Sequence, residues 1–186
     1  RGQQIDFLIT DHHALPDQLP AAPAVINPQR LPANHPLHPL CGVGTAFQLL
    51  QELFRRHSRL AEVWAFLDLV ALGTLADVAR LTGDNRWIVQ RGLQIMRSQT
   101  RPGLQAILSL AEIQTAHLSE THIGFSLAPR LNAIGRLGDA NPMVELLTST
   151  DPEVIRPLAM ELEGLNNRRK RLCDDVFRSA QAQIER

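Results

Sequence analysis

The sequence predicts an α/β protein in which a small parallel sheet is followed by a helical layer and a long final helix. Two short apolar runs, residues 5–10 and 24–28, come early and have the continuous hydrophobic character of strands in a parallel sheet. After Gly44 the apolar residues recur every three to four positions, which is the spacing of a helix face. From Asp151 the same spacing continues to the end of the chain.

The composition indicates a soluble globular protein. The chain has 186 residues, of which 44% are hydrophobic and 20% are charged. No apolar run is long enough to span a bilayer, and no signal-peptide pattern precedes the first strand. The two cysteines lack metal-ligand spacing and fit a reducing compartment, so a cytoplasmic location is expected. The formal net charge of zero provides no global basic field that would indicate a nucleic-acid partner.

The first part of the chain is predicted to contain two strands and a long loop. The strand over residues 5–10 is expected to be covered on both faces, and the second strand is expected to end at Pro28. The proline- and glycine-rich segment 27–44 is predicted to be irregular.

The rest of the chain is predicted to be helical. Helices are predicted over residues 45–56, 60–78, 85–97 and 101–111. Another helix begins at a Ser119 cap and is interrupted near Pro129.

The final helix is predicted to begin at Asp151. Aspartate is a good N-cap, Pro152 suits the first turn, and Glu153 complements the helix dipole. If it is unbroken, this helix would be about 50 Å long at roughly 1.5 Å per residue. Helices of this length often connect two lobes, so residues 1–150 are interpreted as one domain and residues 151–186 as a connection toward a second domain.

Asp11, His12 and His13 directly follow the first predicted strand. In open α/β sheets ligands bind beyond the carboxyl ends of the strands, and imidazole with carboxylate suits divalent ions such as Mn, Mg, Fe or Zn. Neighbouring residues in extended backbone point in opposite directions, so the two histidines are expected to have different roles. The alternative is a histidine-rich turn in which Asp11 caps the following loop.

Three further stretches are candidates for binding, and each also has a structural explanation. Asp77 follows a strongly apolar helix and is a metal ligand, a helix-end cap or the partner of Arg80 in an ion pair. The stretch "PRLNAIGR" could clamp phosphate oxygens or could present surface arginines at a helix end. The glycines of "GVGTAF" could bring backbone N–H groups to an anion or could allow tight packing.

In their order along the chain, these motifs resemble the RecJ family of single-stranded-DNA exonucleases, within the DHH phosphoesterase superfamily. The Asp-His-His tripeptide alone indicates only the superfamily, whereas "ALGTLADV" combined with "PRLNAIGR" points to RecJ. The resemblance implies that the chain holds the C-terminal half of a DHH-type parallel-sheet domain, a helical layer and a long connecting helix. It also implies a hydrolase with two divalent metal ions, Mn or Mg, that degrades single-stranded DNA from the 5′ end to 5′-mononucleotides.

The resemblance also assigns roles to the polar residues. It implies that His12 and Asp77 ligate metal, while Asp11 and His13 orient ligands or meet the scissile phosphate. Arg130, Asn132 and Arg136 match the motif associated with phosphate and DNA binding. Single-stranded DNA is the expected partner of a monomeric enzyme in DNA repair and recombination, together with a single-strand-binding protein or a helicase.

The sequence departs from the family pattern in one respect. The family has further aspartates, including a D-x-D pair, on strands that precede the Asp-His-His motif, and nothing here corresponds to them. Since the chain begins with Arg1, we expect it to be an internal fragment with about half of a dinuclear site and no exonuclease activity alone. The alternatives are a DHH phosphodiesterase acting on short oligonucleotides, cyclic dinucleotides or pyrophosphate, a scaffold subunit that has lost activity, and a generic helical domain.

Overall fold

A computed structural model describes residues 5–137 and 139–185, with the side chains of residues 136 and 137 outside the description. The predicted α/β class is confirmed. Strands β1 (Leu8–Thr10) and β2 (Ala24–Ile26) form a parallel pair in which Leu8 is opposite Ala24 and Thr10 is opposite Ile26. The backbone N–H of Asp11 extends the pairing by donating to the Ile26 carbonyl at 3.0 Å.

The first strand is shorter and more exposed than predicted. Ile5 is 71% exposed and Leu8 is 53% exposed, so the expectation of a strand covered on both faces is wrong for the described residues. In the described part of the chain the sheet contains only β1 and β2, so β1 has a neighbouring strand on one side only. The apolar run therefore predicts the strand correctly but does not predict how exposed its side chains are.

Most of the described chain is helical. The segment 27–41 contains a 3₁₀ turn at Pro28–Arg30 and is otherwise irregular, as predicted. The α-helices are α1 (Gly42–Arg56), α2 (Leu60–Val63), α3 (Leu67–Ala76), α4 (Gly83–Ser98), α5 (Pro102–Leu110), α6 (Glu120–His122), α7 (Ala128–Leu137), α8 (Asn141–Thr148) and α9 (Pro152–Ile184). None of the described helices is both long and apolar enough to cross a membrane.

Three local features differ from the sequence prediction. The helix predicted over residues 60–78 is divided, because a 3₁₀ turn at Trp64–Phe66 separates α2 from α3. The interruption near Pro129 is a π-helical segment, Ile123–Leu127, directly before α7. Pro129 lacks the N–H that a continuing α-helix would use, which fits the irregular turn preceding it. Helix α8 was not predicted, since its eight residues offer few periodic positions.

The chain divides into two compact units between Ile95 and Met96. In the first unit, α1 packs against β1, α2 and α3, around buried side chains that include Phe47, Leu67 and Val70. In the second unit, α9 packs against α5, α7 and α8. The domain boundary expected near residue 150 stays a prediction.

Helix α9 begins as the sequence predicts. The Asp151 side chain caps it by accepting a hydrogen bond from the Glu153 N–H at 2.9 Å. Only its first half is buried, through Ile155, Ala159, Leu162 and Asn166, and the described residues from Lys170 onward are exposed. The helix therefore contributes to the core of the second unit before it extends into solvent.

Three helices end in the same Schellman motif with a residue other than glycine in the left-handed conformation. Ser58, Val78 and Glu112 follow α1, α3 and α5 with φ values of 57°, 55° and 58°. After α3, the Val78 N–H donates to the Leu75 carbonyl and the Ala79 N–H to the Thr74 carbonyl, both at 3.2 Å. A β-branched residue is strained in this conformation, so Val78 is the costliest of the three.

Replacing Val78 with glycine is expected to raise the free energy of unfolding by about 1 kcal/mol. The left-handed conformation costs an L-residue roughly 1–2 kcal/mol, and glycine returns about 0.5–1 kcal/mol of that through unfolded-state entropy. Since the valine side chain is 88% exposed, little buried area is lost. Urea denaturation measures the change, and Glu112→Gly is the matched variant in which a smaller gain is expected. A lower stability for Val78→Gly would contradict the strain argument.

Candidate metal site and nucleic-acid contacts

The ends of the two parallel strands bring Asp11 and Asn27 together. Each residue directly follows its strand, and the register places these strand ends side by side. The Asn27 amide donates to the His13 carbonyl at 3.0 Å and lies 3.4 Å from Asp11 Oδ2, while its Oδ1 accepts from the Gln29 N–H. Asn27 is 6% exposed, so this network fixes the backbone at the sheet edge.

Asp11 and His13 form a close pair at this edge. His13 Nδ1 lies 2.7 Å from Asp11 Oδ1, and its side chain is 77% exposed. The hydrogen bond from the His13 side chain, followed by the one from the His12 backbone, holds the pKa of the Asp11 carboxyl below its usual value. The carboxylate therefore stays ionised and fixes the orientation of the His13 ring, whose Nε2 lies on the other side of the imidazole.

The two histidine rings do not point in opposite directions as predicted. Their centroids are 4.4 Å apart, because β1 ends at Thr10 and the alternation of a strand does not continue to His12 and His13. Their partners nevertheless differ. His13 contacts Asp11, whereas His12 Nδ1 faces Asp77 Oδ2 at 3.7 Å.

His12 lies against the beginning of α1. A Cβ atom at Gly42 would approach the His12 ring to 3.3 Å, so the glycine allows the imidazole to rest on the helix terminus. His12 is the more shielded of the two histidines, with 24% of its side chain exposed. Of the two interpretations of "GVGTAF", anion binding and close packing, the structure has close packing at Gly42.

Asp77 is the residue directly after α3. A carboxylate is unfavourable at the C-terminal end of a helix, where the dipole is negative, so Asp77 does not stabilise α3 as a dipole partner. In the part of the chain that the structure describes, the basic side chain found within 4 Å of this carboxylate is that of His12 rather than that of Arg80. A positive charge here would interact favourably with both the carboxylate and the helix end.

The packing of α1 on α3 sets the distance between His12 and Asp77. A Cβ atom at Gly73 would lie 2.6 Å from Val43 Cγ1, so only glycine allows this approach of the two helices. Beside this contact, Cys41 Sγ lies 3.5 Å from Thr74 Oγ1, and both side chains are buried. The N-cap of α1 and the last turn of α3 are thereby fixed together.

His12 and Asp77 fit a divalent metal as two ligands of a larger set. Imidazole nitrogen and carboxylate oxygen suit Mn and related ions. Ligands about 2.1 Å from one octahedral ion are roughly 3.0 Å apart when adjacent and 4.2 Å apart when opposite, so the observed 3.7 Å is within about 0.7 Å of either arrangement. No cluster of three or more His, Cys, Asp or Glu side chains that could hold a metal ion occurs among the described residues.

The residues expected to bind phosphate lie in the second unit. Arg130 forms a two-point ion pair with Glu163, with Nε–Oε2 at 2.6 Å and Nη2–Oε1 at 3.3 Å, and it donates from Nη1 to the Ser126 carbonyl at 2.7 Å. Its side chain is only 12% exposed, so in this structure it joins α7 to α9. Asn132 is exposed, and the side chain of Arg136 lies outside the described residues.

Two residues of these arrangements were not singled out from the sequence. Asn27 could have been found, because a polar residue after the second parallel strand belongs at the same sheet edge as Asp11. Glu163 carries no such signal, since its contact with Arg130 depends on how α7 packs against α9.

Comparisons with known proteins agree with the fold and with the order of the motifs. The profile of the DHH family, N-terminal domain, matches residues 1–74. The chain is 40% identical to the single-stranded-DNA-specific exonuclease RecJ of Escherichia coli, covering 92% of this chain and 32% of that protein. It is 37% identical to RecJ of Bacillus subtilis, covering 97% of this chain and 22% of the relative. The chain thus spans about a third or less of the length of these relatives.

Solved structures show the same similarity. A crystal structure of RecJ from Thermus thermophilus in complex with Mn²⁺ matches 95% of this chain and 26% of that protein, with 32% identity and a TM-score of 0.84. A crystal structure of exonuclease RecJ bound to manganese matches 96% of this chain and 44% of that protein, with 34% identity and a TM-score of 0.83. These similarities confirm the resemblance seen in the motifs: over nearly all of its length the chain is similar to a segment of RecJ, and its first 74 residues match the DHH-family profile.

Proposed function

We propose that this chain is the part of a RecJ-type exonuclease that supplies two metal ligands and a DNA-binding motif. The whole protein would hydrolyse phosphodiester bonds of single-stranded DNA from the 5′ end and release 5′-mononucleotides. The Mn²⁺ and Mg²⁺ in the structures of RecJ from Thermus thermophilus support a divalent metal cofactor, in line with the two ions that the resemblance implies. A cytoplasmic role in DNA repair and recombination, as a monomer that works with a single-strand-binding protein or helicase, belongs to the same proposal.

The observation that carries this proposal is the approach of His12 and Asp77. The two residues are distant in the sequence and belong to different elements, yet their side chains lie 3.7 Å apart. The Asp77 carboxylate gains no stabilisation from the dipole of α3, because its charge has the same sign as the helix end. A binding role for a cation explains why a carboxylate occupies this position.

The surrounding residues suit phosphodiester hydrolysis. A divalent cation bound at such a site would supply activation of water for in-line attack and stabilisation of the leaving oxygen. His12 and Asp77 would hold the cation, while Asp11 orients the His13 ring toward the substrate side through the bond to Nδ1. His13 is the most exposed member of the group, which supports a role for it in contacting a phosphate oxygen.

The expectation that this chain alone lacks exonuclease activity is also part of the proposal. The described residues bring two candidate ligands together, whereas a two-ion mechanism needs a larger set. Release of nucleotides from single-stranded DNA by the 186-residue chain, dependent on Mn²⁺, would contradict this expectation.

The first test is Mn²⁺ binding to the chain. Asp77→Asn and His12→Gln are each expected to weaken the affinity by about tenfold or more, because each removes one ligand of the ion. Electron paramagnetic resonance measures the free hexaaqua Mn²⁺ remaining during a titration. Asp17→Asn is the matched control, since Asp17 is an exposed carboxylate in the loop between β1 and β2. Equal affinities for Asp77→Asn and Asp17→Asn would reject the ligand assignment.

The second test is the activity of the longer protein that contains this chain. It is expected to release mononucleotides from the 5′ end of single-stranded DNA in the presence of Mn²⁺, and Asp77→Ala is expected to lower the rate by about 100-fold or more. Oligonucleotides blocked by phosphorothioates at the 5′ or the 3′ end establish the polarity. Digestion that only a 3′ block prevents would contradict the proposed direction, and near-normal turnover of Asp77→Ala would contradict the role of Asp77.

The third test concerns DNA contacts in the second unit. Asn132→Ala is expected to lower the affinity of that longer protein for single-stranded DNA by about tenfold, the worth of one hydrogen bond to a charged phosphate. Fluorescence anisotropy with a labelled oligonucleotide and Ca²⁺ in place of Mn²⁺ measures binding without cleavage. Asn167→Ala is the control, because Asn167 is also an exposed amide but lies outside the motif. The same loss in both variants would argue against a specific contact.

Arg130 requires a different design from Asn132. Removing its guanidinium would leave the Glu163 carboxylate, which is 21% exposed, without its partner and would destabilise the second unit. A loss of DNA affinity in Arg130→Ala therefore counts only if the protein remains folded by circular dichroism. The assignments of Arg130 and Arg136 to phosphate binding stay predictions.

A further inference from the structure

Asn85 is a buried amide that connects the two segments next to the candidate metal ligands. It lies in the first turn of α4 and is 1% exposed. Its Nδ2 donates to the Pro39 carbonyl at 2.8 Å and to the Arg80 carbonyl at 3.0 Å. Pro39 belongs to the segment that leads into α1, and Arg80 to the loop that follows Asp77.

The two carbonyls belong to the chain segments that position the candidate ligands. From Pro39 the chain continues to Gly42, against which the His12 ring lies. From Arg80 the chain goes back to Asp77 through the strained residue Val78. One amide group on a third element, α4, therefore holds both segments. It does so in addition to the contact between Cys41 and Thr74.

The other end of the Asn85 amide has no visible structural benefit. Its Oδ1 is buried and accepts no hydrogen bond from the described residues. An unsatisfied buried acceptor is costly, and an apolar side chain of similar volume would avoid that cost. The two hydrogen bonds donated by Nδ2 are therefore what the asparagine contributes at this position.

We infer that Asn85 is a positioning residue that holds the Asp77 loop and the start of α1 in the arrangement required for metal binding. This inference rests on the proposed function of His12 and Asp77 as ligands. Asn85 itself does not touch the ion, and it acts through the backbone of residues 39–42 and 77–80. Residues that orient metal ligands typically change metal affinity by about 10- to 100-fold when they are replaced.

The experiment combines amide hydrogen exchange with Mn²⁺ titration of the whole chain. In Asn85→Leu, exchange is expected to become about tenfold faster at Leu40, Ala79 and Thr82, which lie in or next to the two segments and whose N–H groups are hydrogen-bonded to backbone carbonyls. The Mn²⁺ affinity is expected to fall by about tenfold. Asn85→Ser keeps one donor and is expected to give smaller changes of both kinds, and it decides the question if Asn85→Leu does not fold.

Leu93→Ala is the control for a general loss of stability. Leu93 is 3% exposed on the same helix and makes an apolar contribution to the core. Its replacement is expected to lower the thermal midpoint without a selective change at the three amides. Equal exchange in Asn85→Leu and wild type, or equal acceleration in Leu93→Ala, would overturn the positioning role.

The two readouts separate this inference from the proposed function. If Asp77→Asn leaves Mn²⁺ affinity unchanged, the ligand assignment fails, and the exchange data still decide whether Asn85 holds the two segments. If Asp77→Asn weakens binding but Asn85→Leu does not, the ligands stand and the positioning role is overturned. If both variants weaken binding and exchange rises only in the two segments, the inference is supported.

Discussion

The close approach of α1 and α3 is the contact on which the candidate site depends. His12 rests on the start of α1 and Asp77 extends from the end of α3, so their separation follows from how these two helices pack. Gly73 removes the side chain that would otherwise meet Val43. A larger residue at this position would push α1 and α3 apart and would change the distance between His12 and Asp77 without replacing either residue.

The two carboxylates of the candidate site, Asp11 and Asp77, differ in the hydrogen bonds and charges around them. Asp11 is surrounded by donors, and the hydrogen bond from His13 with the one from the His12 backbone lowers its pKa. Asp77 has a negative helix end behind it and a histidine in front at a distance longer than a hydrogen bond. Asp11 therefore acts through the neighbouring imidazole, whereas Asp77 is the carboxylate for which a cation is the natural partner.

The sequence predicts those parts of the site that follow from local periodicity. An apolar strand followed by Asp11 places that residue at a sheet edge, and the same reasoning reaches Asn27 through the second strand. The proximity of His12 to Asp77 was implied only by the family resemblance, because it depends on packing between helices distant in the sequence. The orientation of the two histidine rings and the exposure of Leu8 were predicted wrongly, since both depend on where β1 ends and on what lies beside it.

Arg130 shows why a motif does not by itself identify what a side chain contacts. Its guanidinium fork can bind phosphate oxygens or a carboxylate with the same geometry, and in this structure Glu163 provides the carboxylate. The fork has five N–H donors, and three of its contacts already go to Glu163 and the Ser126 carbonyl. A phosphate would therefore meet an arginine whose position α9 has already fixed, which lowers the entropy that binding must overcome. The ion pair is thus compatible with the proposed role in DNA binding, and it fixes the Arg130 side chain without a bound phosphate.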